Sequence, residues 1–98
     1  MLEFPKLERL DMNNTYKTNS LPLASFLSCD KQLTFRGVDK SDVNKIYFIF
    51  EPNDIAQTLA DNYFSGKANV NPLELFKNYR SLKDLVFETK RNLRNNLT

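Results

Sequence analysis

The 98-residue sequence has no histidine and no tryptophan, and only one cysteine, two glycines and four prolines. Without histidine, the chain cannot build a Ser-His-Asp or Cys-His nucleophile, and most zinc sites are excluded. Gly37 and Gly66 alone cannot form a P-loop or a dinucleotide-binding loop. A carboxylate pair or a Tyr/Arg/Lys set is the remaining catalytic chemistry, and no pattern selects one. We therefore expect no catalytic residues, no metal, no cofactor and no enzymatic activity.

Long apolar segments are also lacking. No run approaches the roughly 18 residues of a membrane span, and the first residues lack a signal peptide's apolar stretch. The single Cys29 cannot form an intrachain disulfide, which suits a reducing compartment, and we interpret it as a buried or half-buried side chain. We therefore expect a cytoplasmic protein without membrane contact.

The length and hydrophobic content are sufficient for one core but not for two. We expect residues 14–98 to form a single domain. Residues 1–13, with apolar residues at intervals, are expected to form an N-terminal arm. That arm either docks loosely on the domain or packs on a second subunit.

Local patterns predict six elements in the order β-α-β-β-α-α. They are a strand at 15–18, a helix at 21–28, strands at 32–38 and 44–50, a helix from about 52 to 64, and a helix from 72 to at least 91. This order fits an α+β fold with a small antiparallel three-stranded sheet, helices packed on one face and a long C-terminal helix.

The two strands of the predicted hairpin have unlike faces. Polar residues at 39–42 predict the turn between them. The face away from the core carries Tyr47 and Ile49 beside charged residues. Either the arm, a partner or nothing covers that face. The core face alternates along the strands and is expected to contain Leu33, Phe35, Ile46, Phe48 and Phe50.

Cap residues mark the helix ends. Pro52 is predicted to occupy the first position of its helix, and Gly66 to end that helix in a left-handed conformation. The best start signal is Asn71 followed by a proline and, three residues after the asparagine, Glu74. This spacing is typical of a capping box.

Positive charge is concentrated at the C-terminal end. Residues 77–98 carry six basic side chains against Asp84 and Glu88, whereas residues 1–76 carry eight basic and ten acidic ones. On a helix, Phe76, Phe87 and the six cations share an arc of roughly 140°. Such a face is typical of a nucleic-acid binder, because cations contact phosphates and rings stack on exposed bases. The candidate binding cations are Lys77, Arg80, Lys83, Lys90, Arg91 and Arg94, with Phe76 and Phe87 as candidate stacking residues.

The same basic face is compatible with a solvated helix surface or with contact to another protein. A solvated surface is the commonest origin of such a pattern, and Asp84 is spaced to pair with Arg80 and Glu88 with Arg91. The two phenylalanines would then pack beneath the preceding helix. The opposite, apolar stripe is expected to meet the sheet, and its far end to meet a twin helix in a homodimer. That stripe contains Leu75, Tyr79, Leu82, Val86, Leu93 and Leu97.

Six short motifs occur in an order that resembles a family of short uncharacterised domains of bacteria and their phages or other mobile elements. They are Thr15–Thr18 (TYKT), Leu21–Leu27 (LPLASFL), Ile46–Glu51 (IYFIFE), Tyr63–Gly66 (YFSG), Val70–Pro72 (VNP) and Tyr79–Lys83 (YRSLK). The resemblance covers about residues 14–87. It implies a small accessory protein and no catalytic residues.

We therefore expect a small non-enzymatic binding protein that contacts DNA or RNA through the basic face of its last helix. The alternative is a protein–protein interaction module, such as a phage or mobile-element inhibitor or adaptor that binds a host protein. It would use the arm or the sheet face of Tyr47 and Ile49. A homodimer is the expected assembly.

Overall fold

The structure is a computed structural model that describes residues 14–42 and 44–97, so the predicted arm at 1–13 lies outside the described residues. Three helices and one three-stranded sheet confirm the α+β class and the β-α-β-β-α-α order. None of the described helices is long and apolar enough to cross a membrane. The elements are β1 Tyr16–Thr18, α1 Leu21–Leu27, β2 Thr34–Asp42, β3 Lys45–Glu51, α2 Asn53–Phe64 and α3 Pro72–Leu97.

The sheet is antiparallel with the strand order β1-β3-β2, so β3 is central. Tyr16 lies opposite Phe50, which also lies opposite Phe35 on the other side. The pairing of β2 shifts between Phe35 and Gly37, where Gly37 has a φ of 108°. A bulge at this point suits glycine, because a side chain disfavours positive φ.

The predicted turn at 39–42 is wrong, because β2 continues to Asp42, which lies opposite Lys45. A second shift in the pairing falls between Asp39 and Asp42. Within it, the Ser41 N–H donates to Asp39 Oδ1 at 3.0 Å. This bond is the kind that Asp makes in turns, and here it forms inside an irregular strand instead.

The core lies where the sheet meets the helices. Phe48 and Phe50 of β3 are almost fully buried, and the Phe35 ring packs 5.3 Å from that of Phe50. Ala56 and Ala60 are the buried residues of α2, and their small side chains let this helix pack closely on the core. The apolar cluster at this junction also contains Leu23, Ala24, Phe26 and Leu27 of α1 and Leu82 of α3.

The apolar stripe of α3 packs mainly on α1, and through Leu82 it also joins the core cluster that contains Phe48 and Phe50 of the sheet. Leu82 enters the core, whereas Tyr79 remains 37% exposed. The amide of Asn78 fixes the two helices together by donating to Cys29 Sγ at 3.2 Å and to the Ser25 carbonyl at 3.5 Å.

Side-chain caps begin both α1 and α3, and the cap at α3 is the one that the sequence predicts. Ser20 Oγ accepts a hydrogen bond from the Leu23 N–H at 3.2 Å, and Asn71 Oδ1 accepts one from the Glu74 N–H at 3.1 Å. Each satisfies an amide that has no partner within the helix. Pro52 differs from the prediction, because its ψ of 154° is extended and places it just before α2.

Candidate functional site

The basic face belongs to a single uninterrupted helix of 26 residues. Its inner side is held by Leu82 and Thr89, which are 6% and 8% exposed. These two anchors are seven residues apart, about two helical turns, so they fix the rotation of the helix about its axis. The opposite side of α3 therefore faces outward over much of its length.

The structure places the predicted cations on this outward side. Lys77, Arg80, Lys83, Arg91 and Arg94 are exposed, and Lys90 is half-buried. Phe76 and Phe87 are 71% and 61% exposed. The alternative that both rings pack beneath the preceding helix is therefore wrong, and the two rings are accessible among the cations.

Few of these charges are neutralised by neighbours. Arg91 Nη2 lies 3.6 Å from Glu88 Oε2, and both side chains are more than half exposed. Within residues 14–42 and 44–97, no other ion pair involves a cation of α3, and the Arg80–Asp84 pair that the spacing allows does not form. Exposed pairs such as Arg91–Glu88 are weak. The face consequently keeps most of its positive charge.

A groove of about 320 Å³ runs beside this face, between α3 and the first residues of β3. Buried Ile46 and Phe48 belong to its apolar floor. Lys45 of β3 lines the groove together with two lysines of α3, and no acidic residue lines it within the described part of the chain. The described residues that line it are Asn19, Leu21, Asn44, Lys45, Ile46, Phe48, Lys83, Val86, Phe87 and Lys90.

Lys45 is a site residue that sequence reasoning missed. Its own segment reads only as the polar start of a strand, and nothing local connects it with a helix 38 or more residues later. The groove brings it together with Lys83, Phe87 and Lys90. The predicted cations thus divide into a groove group and an open-face group, which contains Lys77, Arg80, Arg91 and Arg94.

A smaller apolar cavity of about 150 Å³ lies nearer the start of α3. Its lining is mainly aromatic and aliphatic. Elsewhere on the surface, Leu73 and Phe64 are 71% and 70% exposed. The cavity is lined by Pro22, Ser25, Tyr63, Leu75, Phe76 and Tyr79.

The outer face of the sheet has a different character. Tyr47 and Ile49 are half-buried there. Lys17 Nζ lies 2.9 Å from Asp39 Oδ2, and this ion pair joins the two edge strands. This is the face that the sequence predicted for partner binding, and the ion pair makes it more polar than predicted.

Cys29 has a structural environment. The thiol is half-buried and lies 3.5 Å from the Ser25 carbonyl, and burial raises its pKa above the ordinary value. A raised pKa reduces the thiolate fraction and so the reactivity of the sulfur. In the described part of the chain, no three His, Cys, Asp or Glu side chains gather as a metal site.

These features define a class: a small α+β domain whose long C-terminal helix carries a basic face beside a lysine-rimmed groove. The chain belongs to the family described as a domain of unknown function, DUF5659, which matches residues 13–88. This confirms the predicted likeness to a family of short uncharacterised domains. No curated protein and no solved structure matches the chain. The match includes Lys45, Lys83 and Phe87 and ends before Lys90.

Proposed function

We propose that this domain binds nucleic acid through the basic face of α3. The observation that carries the proposal is the outward side of α3, which combines six cations with two accessible phenylalanine rings. Phosphates that contact such cations release condensed counterions, which is the main source of affinity in nucleic-acid binding. An unpaired row of cations also repels itself, and a polyanion relieves that repulsion.

The charge balance of α3 favours the same ligand. The helix carries six cations against Glu74, Asp84 and Glu88, and only Arg91 pairs with a carboxylate in the described ranges. A solvated helix needs no such excess, since alternating charges stabilise it better. Exposure of the Phe76 and Phe87 rings to water is unfavourable, and stacking on nucleobases would reduce that exposure.

Fluorescence anisotropy with labelled single-stranded and duplex oligonucleotides at low salt tests the proposal. The variant Arg80→Glu/Lys83→Glu should weaken binding about ten-fold or more. Lys31→Glu/Lys40→Glu is the matched control, because it changes the net charge equally at exposed positions outside α3. Equal losses in the two variants, or no binding by the wild type, would contradict the proposal.

The second candidate is a protein–protein module, such as an inhibitor or adaptor from a phage or other mobile element. It is favoured by the exposed side chains Phe64, Leu73 and Phe76, of which Phe76 lines the apolar cavity. Aromatic-rich patches of this kind are typical of protein interfaces. A purified host protein captured at both low and high salt, and lost with Phe64→Ser, would support this candidate.

The homodimer and the bacterial or phage origin stay predictions. Sedimentation equilibrium measures the first directly. If Phe64→Ser converts a dimer to a monomer, the apolar patch is the dimer interface and is not available to a host protein.

A further inference from the structure

The groove between α3 and β3 has a composition that neither a plain helix face nor an apolar docking site would show. Its floor is apolar, with Ile46 5% and Phe48 1% exposed. Its polar lining includes Lys45, Lys83 and Lys90, and none of the described residues that line it is a carboxylate. A ligand for this groove must therefore combine a flat or apolar part with negative charge.

The three lysines come from two elements and enclose the groove. Lys83 and Lys90 are about 10 Å apart along the helix axis, two turns of α3. Lys45 of β3 also lines the groove. In residues 14–42 and 44–97, none of the three forms an ion pair. Such spacing suits several anionic groups in succession better than one carboxylate.

Phe87 gives the groove an aromatic edge. Its ring is 61% exposed and yet lines the groove beside Val86. The volume of about 320 Å³ is large enough for a nucleobase and too small for a folded element. A base lying against Phe87 would exchange water for an aromatic face and an apolar floor.

We infer that this groove receives an unpaired base of single-stranded nucleic acid, while Lys45, Lys83 and Lys90 contact the flanking phosphates. The inference rests on the proposed function and names its ligand as single-stranded. In a duplex the bases are stacked inside and cannot enter the groove, so only the phosphates would reach the open face of α3. Single strands of RNA and DNA both present the required chemistry.

Anisotropy titrations with three labelled probes of equal length test the inference: a single strand, a duplex, and a single strand of abasic residues. The single strand should bind about ten-fold more tightly than the abasic strand. Phe87→Ala should remove most of that difference. Phe64→Ala is the matched control, since it deletes a similarly exposed ring outside both α3 and the groove. Its effect should stay below about two-fold.

Lys45 provides a second test that does not depend on the ring. Lys45→Gln should reduce the slope of log affinity against log salt by about 0.7 for the single strand. Lys40→Gln, at another exposed position of the hairpin, should leave the slope unchanged. Oligouridine and oligothymidine probes separate an RNA ligand from a DNA ligand, and tight binding of either supports the inference.

The results distinguish this inference from the proposed function. If the abasic strand and the duplex bind as tightly as the single strand, and Arg80→Glu/Arg94→Glu at the open face weakens binding about ten-fold, the groove inference fails and the basic face remains. Equal effects of Phe87→Ala and Phe64→Ala overturn it as well. If no probe binds at low salt, both proposals fail.

Discussion

Lys17 Nζ and Asp39 Oδ2 lie 2.9 Å apart, and they join the two edge strands of the sheet. Lys17 lies opposite Ile49 in β3, while Asp39 lies opposite Tyr47 two residues away. The pair therefore crosses the central strand diagonally. It connects β1, which has only three residues, to β2.

This pair predicts an acid-dependent stability. The hydrogen bond from Lys17, followed by those from Ser41, lowers the pKa of Asp39 to about 2. The folded-state pKa is below the ordinary value of 3.8. The stability that the bonds to Asp39 contribute is therefore present above pH 3.8 and is lost as the pH falls toward 2. Urea midpoints should therefore decrease more steeply over this range for wild type than for Asp39→Asn.

Lys17→Met should reproduce the reduced acid dependence of Asp39→Asn, since it removes the same hydrogen bond. Lys40→Met serves as the control, because Lys40 is an exposed lysine next to Asp39 in the same strand. An unchanged acid dependence in Lys17→Met would mean that Ser41 alone holds the carboxylate.

Leu82 should be the residue of α3 on which stability depends most. It is 6% exposed and belongs to the core cluster. Leu82→Ala should reduce the free energy of unfolding by about 2–5 kcal/mol, because it removes buried methyl groups and leaves a cavity. Leu73→Ala, at a position 71% exposed, should change it by less than about 0.5 kcal/mol. Urea denaturation measures both, and similar losses would show that α3 is not anchored at Leu82.

Gly66 ends α2 for a conformational reason. Its φ is 81°, its N–H donates to the Tyr63 carbonyl at 3.3 Å, and the Lys67 N–H donates to the Asn62 carbonyl at 2.9 Å. These two bonds form a Schellman motif. Gly66→Ala should cost about 1–2 kcal/mol, because a Cβ disfavours the left-handed conformation. Thermal melts should show this loss and almost none for Lys67→Ala.

Asn78 should couple α1 to α3. Its amide donates to Cys29 Sγ and to the Ser25 carbonyl, so Asn78→Ala removes both contacts at once. We expect a loss of about 1 kcal/mol in urea unfolding. Asn92→Ala removes an exposed amide from the same helix and should leave stability within about 0.5 kcal/mol of wild type. Equal effects would show that the bridge contributes nothing.

Local chemistry determined the helix ends and the identity of each element. Ser20, Asn71 and Gly66 act on amides or torsion angles within a few residues of themselves, so their roles can be predicted from sequence. The same is true of the basic arc of α3, because a regular helix fixes where each side chain points. The alternation that places Phe48 in the core is equally local.

Only the tertiary structure decided what those surfaces meet. The bulges that extend β2 to Asp42 depend on pairing with β3 and on the bond from Lys17, and α3 meets α1 before it meets the sheet. The groove depends on Lys45 reaching Lys83 and Lys90 from a distant part of the chain. Periodicity gives the direction of a side chain from its own element. Which residue of another element lies beside that side chain depends on how the elements pack. That packing depends on all of the buried core residues together, so a local pattern cannot predict it.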